Sequence, residues 1–426
     1  MTTTIDTLII HAAQLVTCAS DGKAKRGAHM RDLAIIPDGA VAIHKGEIVD
    51  VGTTSDLYPR HQAQTVIEAH GKVVCPGFVD CHTHAVYAGD RLNDFESRLM
   101  GKAYMDILAE GGGILSTMRA TRQATLSDLT DSAHTRLTMM MRHGTTTAEI
   151  KTGYGLDTAT EIKLLQAIIS LDQIHPMRII PTFLGAHAIP PEFSSPIHYA
   201  NHIINDMLPA IYEVYRASHF THPLSMDVFC EQGVFDLLTS QHLLMSAQDT
   251  YRFLIKAHVD EFVNLGAVPM AIGLGAQSVD HLDVTTEAQL GLLAKSKTVG
   301  VFLPAVNFHL GNPHYGDARA LIDANGVMAL ATDLNPGSAP TPSLPMVMAI
   351  ACRYQKLHPA EALNAITING ASALGLEGQI GSIEIGKDAD VVIVDAPDYR
   401  TLAYEFGTEL VNQTIIKGKV AWKKSS

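Results

Sequence analysis

From Gly77 onward, apolar and β-branched segments alternate with longer stretches of helical character, and this alternation confines the chain to a parallel α/β architecture. Eight segments read as strands: Phe78–His84, Thr145–Lys151, Arg178–His187, Met226–Glu231, Phe253–Glu261, Ala276–Leu282, Thr298–Pro304 and Val327–Asp333. Eight βα units closing on themselves give a (β/α)8 barrel, although an open sheet would show the same periodicity. A plain barrel takes about 250 residues, and the chain has 426, 46% of them hydrophobic. The surplus lies at both ends. Ahead of the barrel are short strands at Thr7–Val16, Ala40–His44, Glu47–Val51 and Thr65–Glu68; behind it, after a helical Pro359–Leu374, come Gly381–Ile385, Asp390–Val394 and Leu410–Trp422. These ends are expected to form one small β-sandwich. Residues 1–74 and 377–426 are then its two parts, and 75–376 the barrel.

Polar residues collect where the barrel strands end. His82 and His84 end the first, His187 the third, His258 the fifth, His281 the sixth and Asp333 the eighth. Histidines spaced i, i+2 on a strand point the same way, as the first two ligands of a zinc-like metal must. Any one of these residues could be an ordinary hydrogen-bonded group at a strand end. The set is harder to explain so, because the C-terminal rim of a barrel is where side chains distant in sequence meet.

The net charge of −13 argues against nucleic acid and for a small-molecule substrate. Five cysteines, without CxxC spacing, imply neither a disulfide framework nor a zinc ribbon, and fit a reducing cytoplasm. The polar N-terminus, followed by a short apolar run broken at His11, reads as neither a secretion signal nor a membrane span.

Pro76-Gly77-Phe78-Val79-Asp80-Cys81-His82-Thr83-His84 resembles the strand-one metal motif of the amidohydrolase superfamily, and Ala331-Thr332-Asp333 its strand-eight aspartate. Gly381–Asp390 resembles the return into that superfamily's small β-domain. Where a bridging lysine would end strand four stands Phe229-Cys230-Glu231, so the resemblance implies one metal ion. Six further stretches are similar, in order, to the branch that opens imidazolone rings: Tyr87–Arg91, Gly111–Ile114, Glu149–Leu156, Phe183–His187, Asp227–Glu231 and Thr332–Ser338. Thr152 stands where relatives carry serine, and the strand-seven loop, 305–316, has no clear counterpart.

The resemblance implies that His82, His84, His258 and Asp333 hold one Zn2+ or Fe3+ per chain. Glu261, three residues past a ligand, would move protons, and His281 would stabilise the oxyanion or orient the water. The reaction implied is hydrolysis of the cyclic amide of 4-imidazolone-5-propanoate to N-formimidoyl-L-glutamate, the third step of L-histidine degradation. Arg91 would clamp the substrate carboxylate, with Tyr154, His187, Glu261, Asn335, Gly337 and Ser338 completing the pocket. Relatives imply a homodimer. Two other readings share these residues. One is a mononuclear deaminase of a cyclic amidine or aminopurine, marked by ammonia release. The other is a silent scaffold, against which the intact ligand set speaks.

Overall fold

The alternation that begins at Gly77 folds, in a computed structural model describing residues 3–102 and 111–425, into eight parallel strands with helices between them. Seven strands precede these: β1 Thr3–Ala12, β2 Gln14–Val16, β3 Ile35–Ile36, β4 Gly39–His44, β5 Glu47–Thr53, β6 His61–Glu68 and β7 Val73–Pro76. The parallel set is β8 Phe78–Asp80, β9 Thr145–Lys151, β10 Arg178–Ala186, β11 Ser225–Cys230, β12 Leu254–Val259, β13 Ser278–His281, β14 Val299–Phe302 and β15 Met328–Leu330, paired in sequence order. β16 Val391–Val394, β17 Val411–Ile416 and β18 Lys419–Lys423 follow. All eight expected barrel strands are present.

The seam between β8 and β15 closes just beyond the regular strands. His84 N donates to Leu334 O at 2.9 Å and Asp333 N to His82 O at 3.0 Å. The same short extensions carry three of the four expected metal ligands, His82, His84 and Asp333, so closing the barrel also builds most of its mouth.

The helices start where their caps dictate. Thr125 and Asp128 form a reciprocal capping box at the head of Leu126–Arg142, and that helix buries Leu129, Ala133, Leu137, Met140 and Met141 at helical spacing. Ala148 and Ile150, on the outward face of β9, pack in the same cluster. The inward face of β9, Thr145, Thr147, Glu149 and Lys151, is buried too, so this barrel has a charged interior.

The two chain ends make the sandwich. One sheet, β5-β4-β1-β6, is wholly N-terminal; the other, β18-β17-β16-β7-β2-β3, takes strands from both ends. Ile9, Leu15, Val41, Ile43, Val74, Val391, Ile393 and Ile415 form the apolar layer between them. Thr7–Val16 divides between β1 and β2 of different sheets, and Leu410–Trp422 turns back at Gly418 into the antiparallel pair β17 and β18. Two more local expectations fail. Gly381–Ile385 is not a strand: Gly381 turns at φ 86°, a Cβ there would lie 2.9 Å from Thr367 O, and Ile383 N is tied to Thr17 O at 2.8 Å. The helix expected over Pro359–Leu374 breaks into Pro359–Ala365 and Ile368–Ser372. At the break, Ile366 O accepts from Val79 N of β8 at 2.8 Å, a tertiary bond that replaces a helical one. Among the described residues, no helix is long and apolar enough to cross a membrane.

Candidate active site

His82 and His84 lie just past β8, His258 near the end of β12 and Asp333 past β15, and their donor atoms face one another. His84 Nε2 is 3.5 Å from His258 Nε2, and Asp333 Oδ1 is 3.3 Å from His84 Nε2 and 3.4 Å from His82 Nε2. All four residues are buried.

Their outer atoms decide what this arrangement means. His82 Nδ1 meets Asp280 Oδ2 at 2.6 Å, and His258 Nδ1 meets Asp227 Oδ2 at 3.0 Å. The hydrogen bond to Asp280 holds the proton of His82 on Nδ1, and the Asp227 charge beside His258 Nδ1 favours the same tautomer there, which leaves the Nε2 lone pairs directed inward. His82 Nε2 and Asp333 Oδ1 have no hydrogen-bond partner, although both are buried. Inward lone pairs and a carboxylate oxygen repel one another unless a cation sits between them, so the donor set fits a metal ion of the zinc or iron type.

Beneath this point is a charged floor. Lys151 Nζ lies 2.7 Å from Asp227 Oδ2 and 3.0 Å from Glu149 Oε2; Lys256 Nζ donates to Glu149 Oε2 at 2.7 Å and to Cys81 O at 2.9 Å. Burial works against these charges, but the opposed partners hold the Asp227 and Asp280 carboxyls below the usual carboxylate range. Asp227, Asp280, Glu149, Lys151 and Lys256 had no role in the sequence reading. A signal was available: lysines and acids occur inside strands that are otherwise buried and apolar.

Glu261 and His281 stand beside the ligands. Glu261 Oε2 is 3.7 Å from His281 Nδ1. Burial, then the carboxylates of Asp333, Asp283 and Glu231, push the Glu261 carboxyl well above its ordinary range, and a cation at the four-donor point would draw it down again. Burial, then the His258 ring, drives His281 well below its usual value, so its imidazole is neutral near pH 7. His281 and Asp333 both take positive φ, 82° and 52°, a conformation uncommon outside glycine and concentrated at functional sites.

The expected substrate residues line the rim with uneven freedom. His187 stacks on His84, ring centroids 4.9 Å apart, with Nδ1 3.0 Å from Gly153 O. Tyr154 packs tilted against the edge of this stacked pair, its ring centroid 5.7 Å from that of His84 and 5.4 Å from that of His187. Arg91 spends Nε on Asp94 at 2.6 Å and Nη1 on Thr117 at 3.2 Å, while Nη2 passes Gly337 so closely that a Cβ there would lie 3.2 Å away. Asn335 Oδ1 accepts from the amides of Gly337 and Ser338, both at 2.8 Å, and Asn335 Nδ2 donates to Asp333 O at 2.7 Å. These three residues direct their donors into their own turn, which braces Asp333.

The amidohydrolase family profile matches residues 242–421, from the helix before β12 to the last strand. The imidazolonepropionase of Chloroflexus aggregans is 51% identical over 97% of this chain and 98% of its own. That of Herpetosiphon aurantiacus is 46% identical over 97% of each. Among solved structures, a zinc-bound adenosine deaminase from Xanthomonas campestris superposes with a TM-score of 0.74 at 20% identity, covering 99% of this chain and 93% of its own. Guanine deaminase from E. coli gives 0.72 at 17%, covering 98% and 100%. At that distance the two deaminases attest the fold. The full-length identity decides the family, and the chain belongs to the imidazolonepropionase family of the amidohydrolases.

Proposed function

We infer that this chain hydrolyses 4-imidazolone-5-propanoate to N-formimidoyl-L-glutamate in L-histidine degradation, using one Zn2+ or Fe3+ held by His82, His84, His258 and Asp333. One observation carries the reading: three imidazole nitrogens and a carboxylate oxygen converge, buried, with Glu261 and His281 alongside. When bound, the metal supplies Lewis acidity and lowers the pKa of a water from about 15.7 towards 7. Glu261 takes a proton from the attacking water and delivers it to the ring nitrogen as the carbon–nitrogen bond breaks. His281, neutral and able to donate, stabilises the charge that grows on the carbonyl oxygen. The ring carbonyl carbon becomes a carboxylate and the severed nitrogen becomes the formimidoyl nitrogen. One water is consumed, and no ammonia leaves.

Arg91, braced by Asp94 and Thr117, presents Nη2 to the substrate propanoate, with the Tyr154 hydroxyl and the His187 ring beside it. Asn335, Gly337 and Ser338 shape that end of the pocket. The five thiols are unpaired, which suits a cytoplasmic enzyme, and we take it to work as a homodimer. The direct test follows imidazolone absorbance and free ammonia together. Absorbance should fall without ammonia; ammonia release with the ring intact would make the chain a deaminase instead.

Two predictions arise here. Elemental analysis should find one metal ion per chain, since the four donors surround a single point. Two ions, both lost on Asp333→Ala, would overturn this assignment. Arg91→Lys should raise KM, because an ammonium lacks the planar fork, and Arg91→Met should raise it further, with metal content unchanged. A truncated imidazolone without its carboxylate should bind wild type and Arg91→Met about equally. An unchanged KM for the full substrate in Arg91→Met would place the carboxylate elsewhere.

A further inference from the structure

We propose that Glu231 is a positioning residue for this reaction, fixing the turn that carries Glu261; the proposal rests on the hydrolase reading above. β11 ends at Cys230, and Glu231 opens a tight loop that closes on itself. Its N–H donates to Phe235 O and its carbonyl accepts from Val234 N, both at 3.1 Å, with Gly233 turning at φ 82°. The backbone of Glu231 is therefore held at two points.

Its side chain leaves this loop and crosses to the one after β12. Oε2 accepts from Phe262 N at 3.0 Å and Val263 N at 3.2 Å; Oε1 accepts from Val263 N at 3.1 Å and Gln232 N at 2.8 Å. Three backbone amides, that of Val263 shared between both oxygens, hold the carboxylate. Glu231 is only 3% exposed, yet nothing in the family resemblance or in the donor set explains its burial. Its partners do: Phe262 and Val263 directly follow Glu261.

The other flank of Glu261 is held from the loop after β13. Asp260 takes φ 56°, its carbonyl accepts from Val284 N at 2.9 Å, and its Oδ2 accepts from Thr285 Oγ1 at 2.8 Å. Glu261 thus sits in a turn gripped from both neighbouring strands. Among the described residues, no hydrogen bond reaches the Glu261 carboxylate itself, so its place near His281 is set through its backbone. Glu231 supplies the grip on one side of that backbone. A misplacement of about 1 Å at a reacting group can cost about 100-fold in rate.

The test compares Glu231→Ala and Glu231→Gln, each in wild type and in Glu261→Gln, by kcat, KM and metal content. Phe262 is exposed, so water can replace the lost acceptor and the fold should survive. Glu231→Ala should lower kcat about 10- to 100-fold, with KM within about twofold and metal content unchanged. Glu231→Gln should fall between, because its amide keeps one acceptor oxygen and loses the other. It carries the comparison should the alanine variant not fold. In the Glu261→Gln background, the alanine change should cost no more than about twofold again, since the group it positions is already disabled. Equal losses in both backgrounds would make Glu231 a general structural residue and overturn the proposal, as would wild-type kcat in Glu231→Ala. A wild-type protein inactive on the imidazolone, or an unimpaired Glu261→Gln, would instead bring down the hydrolase reading and this proposal with it.

Discussion

Glu261→Gln is expected to keep the fold and the metal while losing about 10²–10⁴-fold in kcat, the usual worth of a positioned proton carrier. Glutamine matches glutamate in shape and can accept a hydrogen bond, but it cannot take the water's proton or return it to the leaving nitrogen. Because Glu261 is not among the four converging donors, metal content should match wild type, and KM should move little. Steady-state kinetics on freshly generated substrate, with metal analysis of the same preparation, checks both. Retention of more than about a tenth of wild-type kcat would transfer the base to His281, whose Nδ1 lies 3.7 Å away.

Lys151→Met should destabilise the barrel by about 3–5 kcal/mol, since removing one partner of a buried ion pair leaves the other uncompensated. Lys151 is fully buried, and its ammonium faces Asp227 at 2.7 Å and Glu149 at 3.0 Å; those carboxylates hold its proton far above the ordinary lysine range despite burial. Methionine fills the space but leaves Lys256 alone to balance Glu149, Asp227 and Asp280. Metal affinity should also fall about 10- to 100-fold, because Asp227 orients His258. Denaturant midpoints at saturating metal, with competitive metal titration, measure the two effects separately. A stability loss below about 1 kcal/mol would mean that one carboxyl takes up a proton when the lysine leaves, neutralising the floor.

The site was legible where its chemistry coincided with a strand end. His82, His84, His258, His281 and Asp333 each close a buried apolar run, and the structure brings all five to one mouth. Most of the charged floor was missed because it sits inside strands: Glu149 within β9, Asp227 within β11, Lys256 within β12 and Asp280 within β13, while Lys151, which does end β9, carries no metal-ligand chemistry and drew no role. Inspection of strand ends passes over the residues within, although a lysine in a fully buried strand must have a partner. Asn335, Gly337 and Ser338 were expected to face the substrate. Their donors turn inward, a choice the sequence leaves open because an Asx-type turn and a ligand use the same groups.

By itself, the sequence determined what depends on short-range pattern. Strand and helix alternation follows from periodicity, the sandwich at the two ends follows from the absence of that alternation, and two histidines spaced i, i+2 share a direction on any extended segment. Tertiary structure decided what depends on register between distant strands. It set which carboxylate faces which imidazole, so that Asp280 meets His82 across 198 positions of chain. It closed the β8–β15 seam through the ligand-bearing extensions, and it sent Glu231 into the loop behind Glu261. No local rule encodes these pairings, because each is fixed by how eight strands stagger around a closed barrel.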